Sequence, residues 1–260
     1  MSERYIQDLR SRLPRFSRKF DGQMVATITS TEIDNWLRSL EVGPTTRNNF
    51  RRTLVMLFNH AVARGYATSN PAAKTAKAKV VDSPPGILTV QQTAHLLESA
   101  SPELLPYIAI GAFAGLRRAE LERLDWREID FESGLIEVTA KKSKTARRRF
   151  VKMQLNLREW LLPLRKHKGN VTPDDFEKQL DAAREAAGIT EWPDNGLRHS
   201  FASYHLAHFK NAAALALEMG HTDSGMIFNH YRELVRPKEA EDYWNIKPTP
   251  VSKIVPLVAR

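Results

Sequence analysis

Residues 68–86, TSNPAAKTAKAKVVDSPPG, limit the possible folds of this chain more than any other stretch. Three prolines, three lysines and few large apolar side chains give no periodic face that a helix or strand could bury. The stretch reads as an exposed linker, so the 260-residue chain should divide into a small module and a larger one. The expected boundaries are 1–73 for the first module, 74–87 for the linker, 88–245 for the second module and 246–260 for a C-terminal tail. A hydrophobic content of 42% is enough for a core in each module.

Ahead of the linker the pattern is helical. Tyr5, Leu9, Leu13, Phe16 and Phe20 recur at three- and four-residue steps, with Pro14 expected to kink or divide that helix. Thr29 and Glu32 form a capping-box pattern before a helix whose inner face is Ile33, Trp36, Leu37 and Leu40. A third helix spans about 45–64, with Phe50, Leu54 and Phe58 inward, Gly65 as C-cap and Arg47, Arg51 and Arg52 on the opposite face. Beyond the linker, Thr89 and Gln92 make another capping box and helices continue through Leu124. Between about 128 and 153 the period changes, where LIEV and RRFVKM flank a basic turn, as in a β-hairpin or small sheet. Helical patterns return at 155–167, 173–187, 195–209, 211–219, 224–232 and 238–245. The expected fold class is mainly α with a small β-sheet (α+β): a small all-helical domain, then a mixed, mostly helical one.

The net charge is +9, and residues 1–86 carry 14 Lys/Arg against 7 Asp/Glu, or +7, leaving +2 for the rest. A basic small module joined to a near-balanced larger one points to an anionic partner, with nucleic acid foremost. The absence of cysteine excludes disulfides, thiolate catalysis and cysteine zinc sites, and fits a reducing cytoplasm. No run of about 18 apolar residues is long enough to span a bilayer, and MSERYIQDLR lacks the apolar core of a signal peptide. The expected location is cytoplasmic, with no membrane partner.

Four stretches carry candidate chemistry. In AGLRRAELERLDW, Arg117 stands at a helix start, where a cation is electrostatically misplaced unless an anion is brought there or Glu120 or Glu122 pairs with it. KKSKTARRR has six basic residues in nine; such a run is ordinarily solvated, but a tight turn can project one lysine toward a leaving oxygen. PDNGLRHSFASY places Arg198 in a helix's first turn with His199 beside it. In EMGHTDSGMIFNHYRELV, His221 closes an apolar helix and Tyr231 follows ten residues later. Taken singly each has an ordinary reading, and Tyr231 alone reads as a buried core aromatic.

Taken in order, these boxes resemble the tyrosine recombinase (phage integrase) family over nearly the whole chain. The segment TTRNNFRRTLVMLFNHAVARGY with NPA more loosely resembles that family's DNA-clamping core-binding domain. The resemblance implies that Arg117 and Arg198 clamp a scissile phosphate, that His221 hydrogen-bonds it and that Tyr231 attacks it to form a 3′-phosphotyrosine. It assigns Lys142 to protonating the 5′-oxygen, with Lys141 and Lys144 as close rivals in register, and gives Glu120 a supporting role. Arg47, Arg51, Arg52, Lys141 and Lys144 become candidate DNA contacts. Double-stranded DNA with inverted-repeat core sites, self-association from dimer to synaptic tetramer, and a role in DNA integration for a mobile element follow, with no ATP, metal or other cofactor. Asn195, kept as a candidate catalytic residue, departs from the family, which has histidine three residues before the second arginine; asparagine can hydrogen-bond a phosphate oxygen but cannot titrate near neutral pH. His199, rotated about 100° around the helix from Arg198, is not expected to replace it. The alternative is a DNA-binding regulator of the same fold with weak or no catalysis. The segment after Tyr231 is expected to pack on a neighbouring subunit.

Overall fold

The computed structural model describes residues 3–81, 84–140, 148–221, 225, 227, 231 and 234–249. The chain forms two compact units, Met1–Ser83 and Pro84–Arg260.

The first unit is built from α1 (Glu3–Lys19), α2 (Ser30–Ser39) and α3 (Pro44–Ala63). Its core is aromatic: Phe16 meets Trp36 edge-on at 5.2 Å, and Trp36 meets Phe50 at 5.7 Å. Thr29 and Glu32 form both bonds of the capping box that opens α2. Gly65, at φ 76°, ends α3, with Tyr66 N–H bonding back to the Ala61 carbonyl. Of the two outcomes expected at Pro14, a kink or a division, the helix is not divided: α1 runs unbroken through it. Pro14 is exposed, so the carbonyl that its ring deprives of a partner faces water rather than a core.

The stretch read as an exposed linker is in part folded onto α3. Arg51 donates from Nε to the Thr75 carbonyl and hydroxyl, both at 3.0 Å, and from Nη2 to the Ala73 carbonyl. Asn48 exchanges two bonds with the Ala78 backbone, Asn70 caps the 3₁₀ turn Pro71–Lys74, and Ala72 is fully buried. Side-chain-to-backbone hydrogen bonds hold this segment, and hydropathy does not register them.

The second unit is arranged around α5 (Leu105–Ala114), every residue of which from Pro106 to Ala114 is buried. A helix apolar on all sides is a core helix. Around it lie α4 (Val90–Ser99), α6 (Arg118–Leu121), α7 (Leu155–Leu161), α8 (Phe176–Ala186), α9 (Gly196–Phe209), α10 (Ala212–Met219) and α11 (Pro237–Trp244). β1 (Ile129–Asp130), β2 (Leu135–Val138) and β3 (Arg149–Lys152) form an antiparallel sheet in that order, with Ile136 opposite Val151. Of the helix expected at 224–232, the described residues Gly225, Ile227 and Tyr231 are helical. The fold class is that expected, mainly helical with one small sheet.

The segment after Tyr231 was expected to pack on a neighbouring subunit; its helix α11 packs against its own chain. Tyr243 is fully buried in its own chain, stacked on Tyr204 at 3.9 Å and donating to the Ala112 carbonyl at 2.7 Å. Its amphipathic pattern was satisfied by the faces of α5 and α9. Residues 250–260 lie outside the described residues.

Candidate active site

The site is organised by the last turn of α10. Gly220 takes the left-handed conformation (φ 66°), and His221 N–H bonds back to the Ala216 carbonyl at 2.8 Å, closing a Schellman turn. Three successive carbonyls of that turn are each met by a different guanidinium. Arg149 Nε donates to Glu218 O at 2.7 Å, Arg198 Nη2 to Met219 O at 2.8 Å, and Arg117 Nη2 to Gly220 O at 3.3 Å. A helix C-terminus exposes unpaired carbonyls and partial negative charge, so it is a natural place to gather cations.

Glu120 makes the gathering possible. Its carboxylate is 2% exposed and accepts both Arg149 Nη atoms, at 3.0 and 2.7 Å, together with Arg117 Nη1 at 3.0 Å and Arg117 N–H at 2.9 Å. Burial alone would raise its pKa, but the bonds from Arg149 and the Arg117 backbone outweigh that and hold it below the usual carboxylate range. Arg117 therefore sits at the N-cap of α6 with a partner, resolving the misplaced charge seen in the sequence.

Arg198, on the first turn of α9, is buried and also donates from Nη1 to the Gly115 carbonyl. Burial first, and the nearby Arg117 charge second, push its pKa down to about 9, which leaves it charged at neutral pH. Gly115 ends α5 at φ 60°, and a Cβ there would lie 2.2 Å from the Phe201 ring, so the Ala-Gly-Leu preceding Arg117 has a packing reason as well as a conformational one. Arg198 Nη2 is also 3.1 Å from His221 Nε2, and since a guanidinium has no acceptor, that ring nitrogen must carry its lone pair toward it.

Tyr231 is buried, packed with Phe201, Leu215, Met219 and Ile227. Burial raises its phenol pKa, while the positive charges of Arg198 and Arg117 pull the other way. Its Oη lies 2.8 Å from His199 Nδ1. Three guanidiniums, two imidazoles and a phenol are thus gathered around one helix end. Such a set can hold a phosphodiester anion and offer it an oxygen nucleophile.

The profile of the phage integrase family matches residues 87–236, more than half of the chain. The chain belongs to that family. Among relatives, the tyrosine recombinase XerC of Alcanivorax borkumensis is 27% identical over 203 residues, covering 68% of this chain and 66% of XerC. IntQ of Escherichia coli K12, whose name marks it as defective, is 21% identical over 235 residues, covering 72% of this chain and 59% of IntQ. The chain therefore spans about three-fifths to two-thirds of the length of these relatives. Two solved structures share the fold: a lambda integrase dimer bound to a COC′ core site (TM-score 0.73, 19% identity, 91% of each chain), and the Tn1549 transposon integrase with circular intermediate DNA (TM-score 0.70, 19% identity, 93% of this chain and 94% of that one).

Within this integrase fold the structure brings Arg117, Glu120, Arg198, His221 and Tyr231 together. Asn195 is the N-cap residue of α9, three positions before Arg198. It is exposed, adopts φ 54°, makes no side-chain cap, and lines a cleft of about 230 Å³ with Arg118, Trp192 and Arg198. Asparagine is among the few non-glycine residues that tolerate the left-handed region, which gives it a backbone role at the start of α9. Lys141, Lys142 and Lys144 lie outside the described residues. In the first unit, Arg51 spends its donors on its own chain, Arg47 Nη2 turns toward the Leu40 carbonyl at 3.4 Å, and Arg52 is exposed.

Two residues of the site escaped the sequence reading. In the sequence Arg149 is one of the basic turn's residues, yet its side chain is 8% exposed and locks β3 to α6 and α10. Its signal was its place at the entry to RFVK, where the alternating pattern begins. Helical rotation places His199 on a different face of α9 from Arg198. The rotation is real, but Tyr231 comes from a different segment than the partners of Arg198, and meets α9 on the side to which His199 points.

Proposed function

We propose that this integrase-family chain is a site-specific recombinase that breaks and rejoins DNA strands through a 3′-phosphotyrosine at Tyr231. The observation that carries the reading is that Arg198 and Arg117 both donate to the last turn of α10, whose Met219 packs in one cluster with the buried Tyr231. Two guanidiniums suit the non-bridging oxygens of a phosphodiester and the extra charge of its pentavalent transition state. His221, oriented by Arg198, supplies a third contact, and Lys142 is assigned to the leaving 5′-oxygen. The phosphotyrosine conserves the energy of the broken bond, so a 5′-hydroxyl of a second strand regains it without ATP. The partner is double-stranded DNA with inverted half-sites, on which copies of the chain assemble as dimers and then as a synaptic tetramer; lambda integrase is seen as a dimer on a COC′ core site and as a tetramer on a Holliday junction.

The test is covalent capture on a duplex nicked beside the exchange point. From a pool of nicked duplexes with randomised arms, the wild type should retain a set of sequences through denaturation, and Tyr231→Phe should retain none. A chain that binds duplex specifically but never forms the adduct would be a DNA-binding regulator. Asn195, in place of the family's histidine, favours that second reading.

A further inference from the structure

We propose that His199 is the base that takes the phenolic proton of Tyr231 at attack, supplying from within α9 the imidazole that position 195 lacks. The inference rests on the strand-transfer reading above and names the proton acceptor of that site.

The geometry is direct. His199 Nδ1 lies 2.8 Å from Tyr231 Oη, with ring centroids 5.7 Å apart and planes 37° from parallel. That is a productive distance for proton transfer from an oxygen acid. The backbone carrying His199 is held on both sides, since Arg198 and Ser200 are buried and His199 N–H bonds to the Asn195 carbonyl at 2.9 Å. The ring itself is half-buried, so a proton taken from Oη has a route to solvent. For Oη–H to donate, Nδ1 must present its lone pair, which fixes the Nε2–H tautomer. The charged groups bearing on the same phenol are Arg198 from α9 and Arg117 from the cap of α6, with His221 bonded to Arg198 from the α10 turn.

A base is needed here. A buried phenol is protonated at neutral pH, and the two arginines only partly offset its burial. In the forward step the Oη proton moves to His199 Nδ1 and Oη forms the O–P bond. The P–O5′ bond breaks with its electron pair on the leaving oxygen, which takes a proton from the lysine ammonium that the strand-transfer reading assigns to it. In the return step the attacking 5′-hydroxyl gives its proton to that amine, the Tyr231 O–P bond breaks, and Oη recovers its proton from the His199 imidazolium. Protons and charge balance over the cycle.

The experiment follows adduct formation against pH, on nicked duplexes that the wild type has retained from the randomised-arm pool. The wild-type rate should rise about tenfold per pH unit through the imidazole range and then level off. His199→Ala should be slower by about 10²-fold or more, with that rise gone. His199→Asn keeps an acceptor in the Nδ1 position without a titrating group; it should melt like the wild type and react as slowly as the alanine variant, and it decides the matter if the alanine variant does not fold. Added imidazole should restore part of the His199→Ala rate. A His199→Asn rate within about threefold of wild type, or one with the same pH rise, overturns the proposal and leaves the strand-transfer reading standing. A faster variant overturns it too, since the contact would then be a latch on the tyrosine. A wild type that forms no adduct with DNA it binds overturns both.

Discussion

At Gly115, φ of 60° and a Phe201 ring atom 2.2 Å from the missing Cβ are two independent reasons for glycine. The left-handed conformation costs an L-residue about 1–2 kcal/mol, and overpacking about 1–3 kcal/mol more. Gly115→Ala should therefore lower stability by about 2–5 kcal/mol in urea unfolding, and a loss below about 1 kcal/mol would mean that the helix end relaxes freely. Position 195 combines a backbone demand with a vacant chemical role. Asn195→Ala should cost about 1 kcal/mol of stability while Asn195→Gly costs nothing, because the strain is in φ rather than in a contact. Asn195→His should form the covalent adduct at least as fast as wild type; a large loss would show that the site depends on the amide.

Between elements, the decisive tie is the buried pair of Arg149 on β3 and Glu120 on α6. Breaking such a pair from one side strands a buried charge and costs about 3–5 kcal/mol, whereas removing both partners is much less harmful. In a double-mutant cycle, Arg149→Met and Glu120→Gln should each destabilise strongly and the double variant by clearly less than their sum. Additive losses would mean that the two do not act as a unit. Behind the same turn, Glu218 and His205 lie 3.8 Å apart, a contact that is an ion pair only if the imidazole is protonated. Burial pushes the Glu218 carboxyl up to about 7 and the His205 imidazole down to about 4, so both are neutral between those values.

Their linkage to folding has opposite signs. The folded state holds the Glu218 proton longer than the unfolded chain does, so this residue's contribution falls as pH rises from about 4.5 to about 7. The folded state resists protonating His205, so that contribution is present above about 6.5 and is lost as pH falls toward about 4. Over the shared window the two slopes cancel. Glu218→Gln should unmask a stability that rises with pH between about 4 and 6.5, read as a thermal midpoint across buffers. A variant curve as flat as wild type would mean that Glu218 is ionised in the folded protein.

For the whole molecule, the place of α11 changes what a truncation means. Removing residues 238–260 takes away the fully buried Tyr243 and its bond to Ala112, and should cost at least about 3–5 kcal/mol, the range for deleting a large buried aromatic. A variant lacking only 250–260 that keeps the thermal midpoint of the full chain but loses synapsis would have lost a contact between copies. Unchanged recombination by it would end the proposal that the tail packs in trans. The two units have separate cores, and the first carries most of the surplus positive charge, +7 of +9.

The sequence by itself determined what depends on neighbours along the chain. The capping boxes at Thr29 and Thr89, the glycine end of α3 and the change of period at the small sheet are all encoded within a few residues, and all are present. So was the family, because Arg117, Arg198, His221 and Tyr231 stand in a linear order that ordinary structural pressures do not produce. The tertiary structure alone decided which side chains meet. Nothing near Arg149 in the chain distinguishes it from the five other basic residues of its run; burial beside Glu120 does. Helical rotation correctly put His199 on another face from Arg198, but which segment would arrive at that face is set by packing more than thirty residues away. Pro14 and residues 70–78 show the same limit from the other side: a proline costs little where its orphaned carbonyl meets water, and polar chain folds wherever side-chain amides and guanidiniums satisfy its backbone.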